Sequence, residues 1–443
     1  MKYQKYEKYK ISNNPWFSEL PENWDVSRIK FNSMLFGRIG YRGYSTDDLV
    51  DEKEGAITLS PSNMNNGKLD FSKCTYLSWD KYNESPEIKM RDHDVVMVKT
   101  GSTIGKVSFA EKIEYPTTIN PQLVLYKKIK CNPKFLFYYL FSKNAQDRIP
   151  LYNSGSTIPT MKQEDIGRFY LPMPSINEQN SIVEFLDRET THIDTLIEKK
   201  QKLIELLKEK RTALITKAVT KGLNPDAKMK NSGIEWCDTF PENWNVISLK
   251  WISKIYAGGT PDKSVETYWE NGTIPWINSG AVNQKYITKY SDLITEDAYK
   301  SSSAKWIPKG SLVMALAGQG KTKGMVAYLE IDTTCNQSMA AIIPRKDIYS
   351  KYLMYWLEIN YNNIRNLGGG DARDGINLEM IGTIKCPVPI LKEQKEIAEI
   401  IERETERIEI LKDKISIAIE KHKEYRTALI SAAVTGKIKV TQD

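Results

Sequence analysis

Cysteine, histidine and long apolar runs are all scarce in this chain, and each scarcity removes a class of protein. Its 443 residues include five cysteines (Cys74, Cys131, Cys237, Cys335, Cys386), odd in number and never spaced as Cys-x-x-Cys. That argues against a disulfide framework and fits a reducing compartment. The three histidines, His93, His192 and His422, lie far apart, and none has a Cys or His neighbour at ligand spacing, so no metal site is expected. No apolar run approaches the ~18–20 residues of a membrane-spanning helix. The start, Met1-Lys2-Tyr3-Gln4-Lys5-Tyr6, has no apolar stretch behind it, which a secretory signal requires. The expectation is a cytoplasmic protein. A net charge of +7 permits nucleic-acid binding without demonstrating it, because affinity depends on where the charge lies.

What the chain does have is a repeat. Leu20-Pro21-Glu22-Asn23-Trp24-Asp25-Val26 returns as Phe240-Pro241-Glu242-Asn243-Trp244-Asn245-Val246, a shift of 220 residues. Ile166-Gly167, Pro172-x-Pro174, Glu178-Gln179 and Arg211-Thr212-Ala213-Leu214-Ile215 return as Ile381-Gly382, Pro387-x-Pro389, Glu393-Gln394 and Arg426-Thr427-Ala428-Leu429-Ile430, a shift of 215. The fillings between these borders, about 31–165 and 251–380, resemble each other only faintly. Fixed borders with divergent fillings suggest one scaffold carrying two different readers.

Residues about 177–219 read as one long helix, with Val183, Leu186, Ile193, Ile197, Ile204, Leu207, Leu214 and Ala218 on a heptad seam interrupted by Thr190, Lys200 and Arg211. The 215-residue shift reproduces the seam. Prolines precede each helix and Gly222 and Gly436 follow, as start and stop signals should. Each helix would span on the order of 60 Å. Packing the two narrow stripes against each other is the economical solution; packing on each helix's own module or on a partner is the alternative. In an antiparallel pair about a pseudo-two-fold axis, mirroring predicts register contacts Arg211–Glu404 and Arg426–Glu189. The fillings read as mixed, β-rich modules. Short apolar runs such as Val95–Val98 and Leu312–Ala315 end in Gly-rich turns, and a matched aromatic helix comes late in each.

Catalytic motifs fail on inspection. Ala315-x4-Gly320-Lys321-Thr322 nearly matches a phosphate-binding loop, but Ala occupies the first Gly position and no acidic strand for magnesium follows. A nucleotide hydrolase built there, or a coiled-coil scaffold without DNA contact, are the rival readings. Asn14-Pro15-Trp16-Phe17 lacks the second proline of an amino-methyltransferase motif and has no Gly-rich cofactor loop nearby. No catalytic residue is assigned.

At the repeated frame the resemblance becomes specific. Ser232-Gly233-Ile234-Glu235-Trp236, then Phe240-Pro241-Glu242-Asn243-Trp244, preceded by Arg211-Thr212-Ala213-Leu214-Ile215-Thr216-Lys217-Ala218-Val219-Thr220-Lys221-Gly222, resembles the specificity subunit of type I restriction-modification systems. The resemblance covers nearly the whole chain. It departs at Cys237-Asp238-Thr239, where Ile-Gly-Glu is more usual, and in the missing Ser-Gly before Trp16. It implies an α+β architecture: two similar mixed α/β target-recognition domains separated by two long α-helices packed as an antiparallel coiled coil, a pseudo-two-fold repeat. The segments would be 1–165 and 224–380 for recognition, and 166–223 and 381–443 for the helical regions. It also implies a non-catalytic subunit in host defence and DNA methylation that reads a bipartite asymmetric site. Its partners would be double-stranded DNA, two adenine-N6 methyltransferase subunits that bind S-adenosylmethionine, and two restriction and translocation subunits that use ATP and magnesium. A rigid helical spacer would set half-site centres on the order of one DNA turn, ~34 Å, apart.

Base reading needs hydrogen-bonding side chains in the module loops. The candidates are Ser60, Ser62, Asn63, Lys99, Thr100, Ser102, Thr103, Lys106, Asn120, Gln122, Ser156 and Thr157 in the first module. In the second they are Asn278, Ser279, Asn283, Gln319, Lys321, Lys323, Asn336, Gln337, Arg373 and Asp374. For each, turn stabilisation or a phosphate contact competes with base reading.

Overall fold

The computed structural model describes residues 3–38, 40–155, 157–318, 321–368 and 375–440. Two compact units emerge: Met1–Gln201 with Ser416–Asp443, and Lys202–Ile415.

Unit one opens with a hairpin, Tyr9–Asn14 against Phe17–Pro21, whose turn holds Pro15 and Trp16. A four-stranded sheet follows in the order Val107–Phe109, Val95–Val98, Leu123–Lys127, Met34–Phe36. A second runs Thr117–Ile119, Ala56–Leu59, Thr75–Leu77, Leu49–Val50, with its first pair parallel. Val95–Val98 and Ala56–Leu59 are buried along their whole lengths, which is why Val95–Val98 reads as an unbroken apolar run rather than an alternating one. Helix α1 (Pro133–Phe141) is capped by Asn132, whose side chain accepts from the amides of Lys134 and Phe135. Its aromatics are core residues. Helix α2 (Ile176–Lys221) begins in this unit.

Unit two repeats the plan. Its hairpin, Met229–Ile234 against Cys237–Pro241, has the register of the first shifted by 220 residues. Its sheets run Ser253–Ala257, Met339–Pro344, Leu312–Ala315, Val326–Leu329, Tyr286–Ile287, and Asp292–Ile294, Ile274–Ile277, Thr334–Cys335. Helix α3 (Ser350–Ile359) matches α1, and α4 (Leu391–Val434) matches α2.

The repeated border residues have physical jobs. Trp24 and Trp244 are fully buried. Gly436, at φ +70°, packs beside Trp24, and a Cβ there would lie 2.5 Å from Pro21 atoms. Gly222, at φ +69°, packs likewise on Trp244. Left-handed backbone stops each helix where only glycine fits. The frame of unit one therefore receives the end of α4, and the frame of unit two the end of α2. The repeated glutamines bind helix starts to the modules. Gln179 accepts from the Asn132 amide at 2.8 Å and donates to the Pro174 carbonyl at 2.9 Å. Gln394 accepts from the Tyr349 amide at 2.7 Å and donates to the Pro389 carbonyl at 2.8 Å. Both are buried, so each amide's polar atoms need these partners.

The long helices pack within each unit both on one another and on the module. In unit one, Ile182, Leu186 and Ile193 of α2 share a core with Leu429, Ile430 and Ala433 of α4 and with the aromatics of α1. In unit two, Ile215, Ala218 and Val219 share a core with Ile397, Ala398 and Ile401 and with α3. The register differs from the mirrored expectation by five residues. Arg426 donates to Asp194 at 2.9 and 3.3 Å, not to Glu189, which pairs with Arg188. Arg211 lies 3.9 Å from Glu409 and donates to Glu358 at 2.7 Å, whereas Glu404 pairs with Arg403 and Arg407. A shift of 215 carries Arg211–Glu409 onto Asp194–Arg426, so this is one antiparallel contact made twice.

In this register each seam arginine also reaches a module helix. Arg211 reaches the last turn of α3 through Glu358, and Arg426 lies over the Phe141 ring at the last residue of α1. Lys134 of α1 pairs with Asp187 of α2 at 2.9 Å, and Lys351 of α3 with Glu402 of α4 at 2.6 Å.

Candidate nucleic-acid interface

In each unit, strand ends converge on one loop cluster, and the backbone hydrogen bonds that build it are the same. In unit one, Asn120 N donates to Leu59 O (2.9 Å), Lys99 N to Gln122 O (2.8 Å), Met161 N to Lys99 O (2.8 Å) and Gly105 N to Val98 O (2.8 Å). In unit two, Asn336 N donates to Ile277 O (3.0 Å), Leu316 N to Ser338 O, Ile376 N to Leu316 O and Gly324 N to Ala315 O (each 2.8 Å). The lattice is constant and the side chains on it change. Lys99 is replaced by Leu316, Gln122 by Ser338 and Ser60 by Asn278, while Asn120 and Asn336 stay alike. The loop 316–323 is two residues longer than 99–104.

The first cluster gathers many of the candidates and gives several of them structural work. Lys99 is half-buried, burial pushes its pKa down, and its ammonium has no ion-pair or hydrogen-bond partner among the described residues. Thr100 forms an isolated antiparallel bridge with Thr160. Ser102, Thr103 and Thr157 are exposed. Ser60 and Ser62 hydroxyls lie 2.7 Å apart. Asn63 is buried and spent on the turn, its amide donating to the Asp70 and Lys73 carbonyls. Lys106 donates to the Pro61 carbonyl at 3.2 Å, tying one loop to the next. Asn120 is held by Gln122, donating to its Oε1 at 3.1 Å and accepting from its amide at 3.0 Å. Ser156 lies outside the described residues.

In the second cluster a cleft is lined by Asn278, Asn336, Gln337, Thr260, Lys263 and Trp276. Asn336 lacks the amide contact that holds Asn120, and its Oδ1 is buried without a hydrogen-bond partner among the described residues. Gln337 accepts from the Thr260 hydroxyl. Asn278 accepts from the Gly280 amide at 2.8 Å, Asn283 donates to the Gly280 carbonyl at 2.9 Å, and Ser279 lies half-buried in the turn they close. Lys321 is exposed and Lys323 buried. Gln319, Arg373 and Asp374 lie outside the described residues.

Sequence reasoning missed Thr260 and Lys263. Their signal was Gly258-Gly259-Thr260-Pro261: an added Cβ at Gly258 would meet Cys335 O at 2.1 Å, so this turn hugs the loop carrying Asn336. Arg38 was missed as well. It is buried and donates to the Ile119 carbonyl at 3.3 Å, pinning the strand end that carries Asn120.

The nucleotide-hydrolase reading fails on topology. Leu312–Ala315 and Val326–Leu329 pair antiparallel, so the Gly-rich segment joins two strands of a hairpin. A phosphate-binding loop instead leads into a helix whose N-terminal amides hold the anion. Among the described residues, no group of three or more His, Cys, Asp or Glu is placed to hold a metal, and no helix is long and apolar enough to cross a membrane.

Comparisons with known proteins agree with this duplicated plan. The family model described as type I restriction modification DNA specificity domain matches residues 41–206 and again 241–421. The MjaVIII type I restriction enzyme specificity subunit of Methanocaldococcus jannaschii is 26% identical over 95% of this chain and 94% of its own length. The EcoR124I/EcoR124II specificity subunit of Escherichia coli is 32% identical over 44% of this chain, a match spanning about half (49%) of that relative. A solved chain from a study of complex assembly and conformational transition of the type I R-M system superposes with TM-score 0.71 at 15% identity, covering 95% of this chain and 99% of that one. The HsdS subunit from Thermoanaerobacter tengcongensis gives 0.57 at 16% identity, covering 95% and 98%. These two share the fold. With one matched domain in each half of the sequence, the chain belongs to the type I restriction modification DNA specificity family.

Proposed function

We propose that this chain is the non-catalytic DNA-reading subunit of a type I restriction-modification complex, and that each unit reads one half of a split, asymmetric sequence. In this scheme residues 1–165 and 224–380 are the recognition domains, and 166–223 and 381–443 the helical regions. The helices set the gap between half-sites and hold two adenine-N6 methyltransferase subunits, whose cofactor is S-adenosylmethionine. Two further subunits using ATP and magnesium add restriction and translocation.

One observation carries the reading. The two loop clusters share their backbone hydrogen bonds but differ in side chain at every matched position named above except Asn120 and Asn336 and the glycines Gly105 and Gly324. A common lattice with different chemistry at its tips is what two unlike half-sites require, just as identical tips would imply a palindrome. In the first cluster Lys99, Thr100, Ser102, Gln122 and Thr157 are the proposed contacts, with Lys99 foremost. In the second they are Asn278, Lys321, Asn336, Gln337 and Arg373. Asn63 and Lys323, both buried, act through the loops rather than at base edges.

A short in-frame insertion placed at matched points of α2 and α4 tests the ruler role. Mapping the methylated sites of the altered complex should show both half-sites unchanged and the gap between them altered. Changed half-sites with a constant gap would exclude it.

A further inference from the structure

Phe31 and Trp251 stand at the same place in the repeat, 220 residues apart, and both rings face solvent, 59% and 64% exposed. Each is the third residue of a short helix, Ile29–Asn32 or Leu249–Ile252, whose first residue is buried. The preceding lysine places its ammonium over the ring, Lys30 at 5.1 Å from the centroid and Lys250 at 5.4 Å. The lysine stems lie on repeated glycines: a Cβ at Gly167 would meet Lys30 Cβ at 3.4 Å, and one at Gly382 would meet Lys250 Cβ at 3.3 Å. The repeated border thus anchors the base of each helix and leaves its ring outward.

Single exposed aromatics scatter over any surface, but two at one repeat position, each held by the frame, do not look like scatter. Basic residues flank the ring in both units, beside the acidic Glu164 and Asp165 on the helix packed against the first and Glu379 on the helix packed against the second. Next to Phe31, the amide of exposed Lys130 donates to the Asn32 carbonyl, and Lys128 is also exposed. Next to Trp251, Arg345 donates to its carbonyl at 3.0 Å, and exposed Lys346 follows, with Asp347 the acidic residue of that stretch. The patch lies away from the reading loops. Strand Leu123–Lys127 meets Val98 at its first residue, beside the loop cluster, and Met34 at its last, beside Phe31.

We infer that Phe31 and Trp251 are twin docking points, each seating one copy of the same protein partner: a methyltransferase subunit presenting an apolar pocket rimmed by carboxylates. The inference rests on the functional reading above. Duplication of the point matches a partner present in two copies. The lysine over each ring fits an acidic complement, and aromatic residues are enriched at the cores of protein interfaces.

The test uses the full-length chain and its purified methyltransferase partner, with bound copies counted by native mass spectrometry and affinity titrated. The unaltered chain should bind two copies. Phe31→Ser or Trp251→Ser should each weaken one copy by roughly tenfold or more, leaving one bound where the unaltered chain holds two, and the double variant should hold none. Phe31→Trp and Trp251→Phe should keep both copies, and thermal melts should stay unchanged throughout. Two copies bound with unaltered affinity by the double serine variant would overturn the inference alone. The same would follow if that variant kept both copies but lost DNA binding. An unaltered chain that binds no methyltransferase would remove the functional reading and this inference with it.

Discussion

Cutting Trp244 back to alanine should cost unit two about 3–5 kcal/mol, and Trp24→Ala should cost unit one as much. Each indole is fully buried and joins the module core to the end of a long helix. Trp244 meets Gly222 at the end of α2, and Trp24 meets Gly436 at the end of α4. The cavity left by either substitution is bounded by backbone already fixed in the left-handed region, which has little freedom to collapse into it. Chemical denaturation of the two variants checks this. A loss below about 0.5 kcal/mol, the range of ordinary surface changes, would show that the repeated Pro-Glu-Asn-Trp frame is not what seats the helix ends.

Lys99→Ala should weaken binding to DNA carrying the first half-site roughly tenfold to a hundredfold, the ~1–3 kcal/mol of a specific base contact. It should leave discrimination in the second half-site intact. The reason is electrostatic. Lys99 is half-buried at a loop end, without a counter-charge among the described residues, and burial already lowers its pKa. Such an ammonium has lost part of its hydration and gains most from an acceptor such as a guanine edge. Competition binding with DNAs altered one half-site at a time separates the outcomes. Uniform weakening across all sequences with a shallower salt dependence would mark a phosphate contact. No change on any sequence would remove Lys99 from the interface.

The repeat made the architecture readable because its borders are held by residues that tolerate few replacements. Trp24, Gln179 and Gly436 each have one geometric task, and their copies have the same one. The helix register was not readable. Mirroring a helix about its midpoint assumes that the pair alone sets its overlap, but Arg211 is drawn to Glu358 on α3 and Arg426 to the end of α1. Those are contacts between segments distant in sequence. The reading loops were only partly legible for a related reason. Asn63 and Asn120 are polar loop residues by sequence, yet their hydrogen bonds are spent inside the turns, and Lys106 is drawn to the Pro61 carbonyl of another loop. The counterpart of Lys99 is the apolar Leu316, legible from the matched runs Val95–Val98 and Leu312–Ala315 that precede them, whereas the shared backbone lattice on which both stand emerges only on folding. The cleft residue Thr260 belongs to a turn brought to Asn336 only by folding.

The most direct test of two readers on one frame is a genome-wide map of N6-methyladenine in cells expressing this chain with its methyltransferase partner. One motif made of two different half-sites separated by a gap of fixed length is expected. Exchanging the loop residues of one unit should change only one half. A continuous or palindromic motif, or no motif at all, would contradict two readers on one frame.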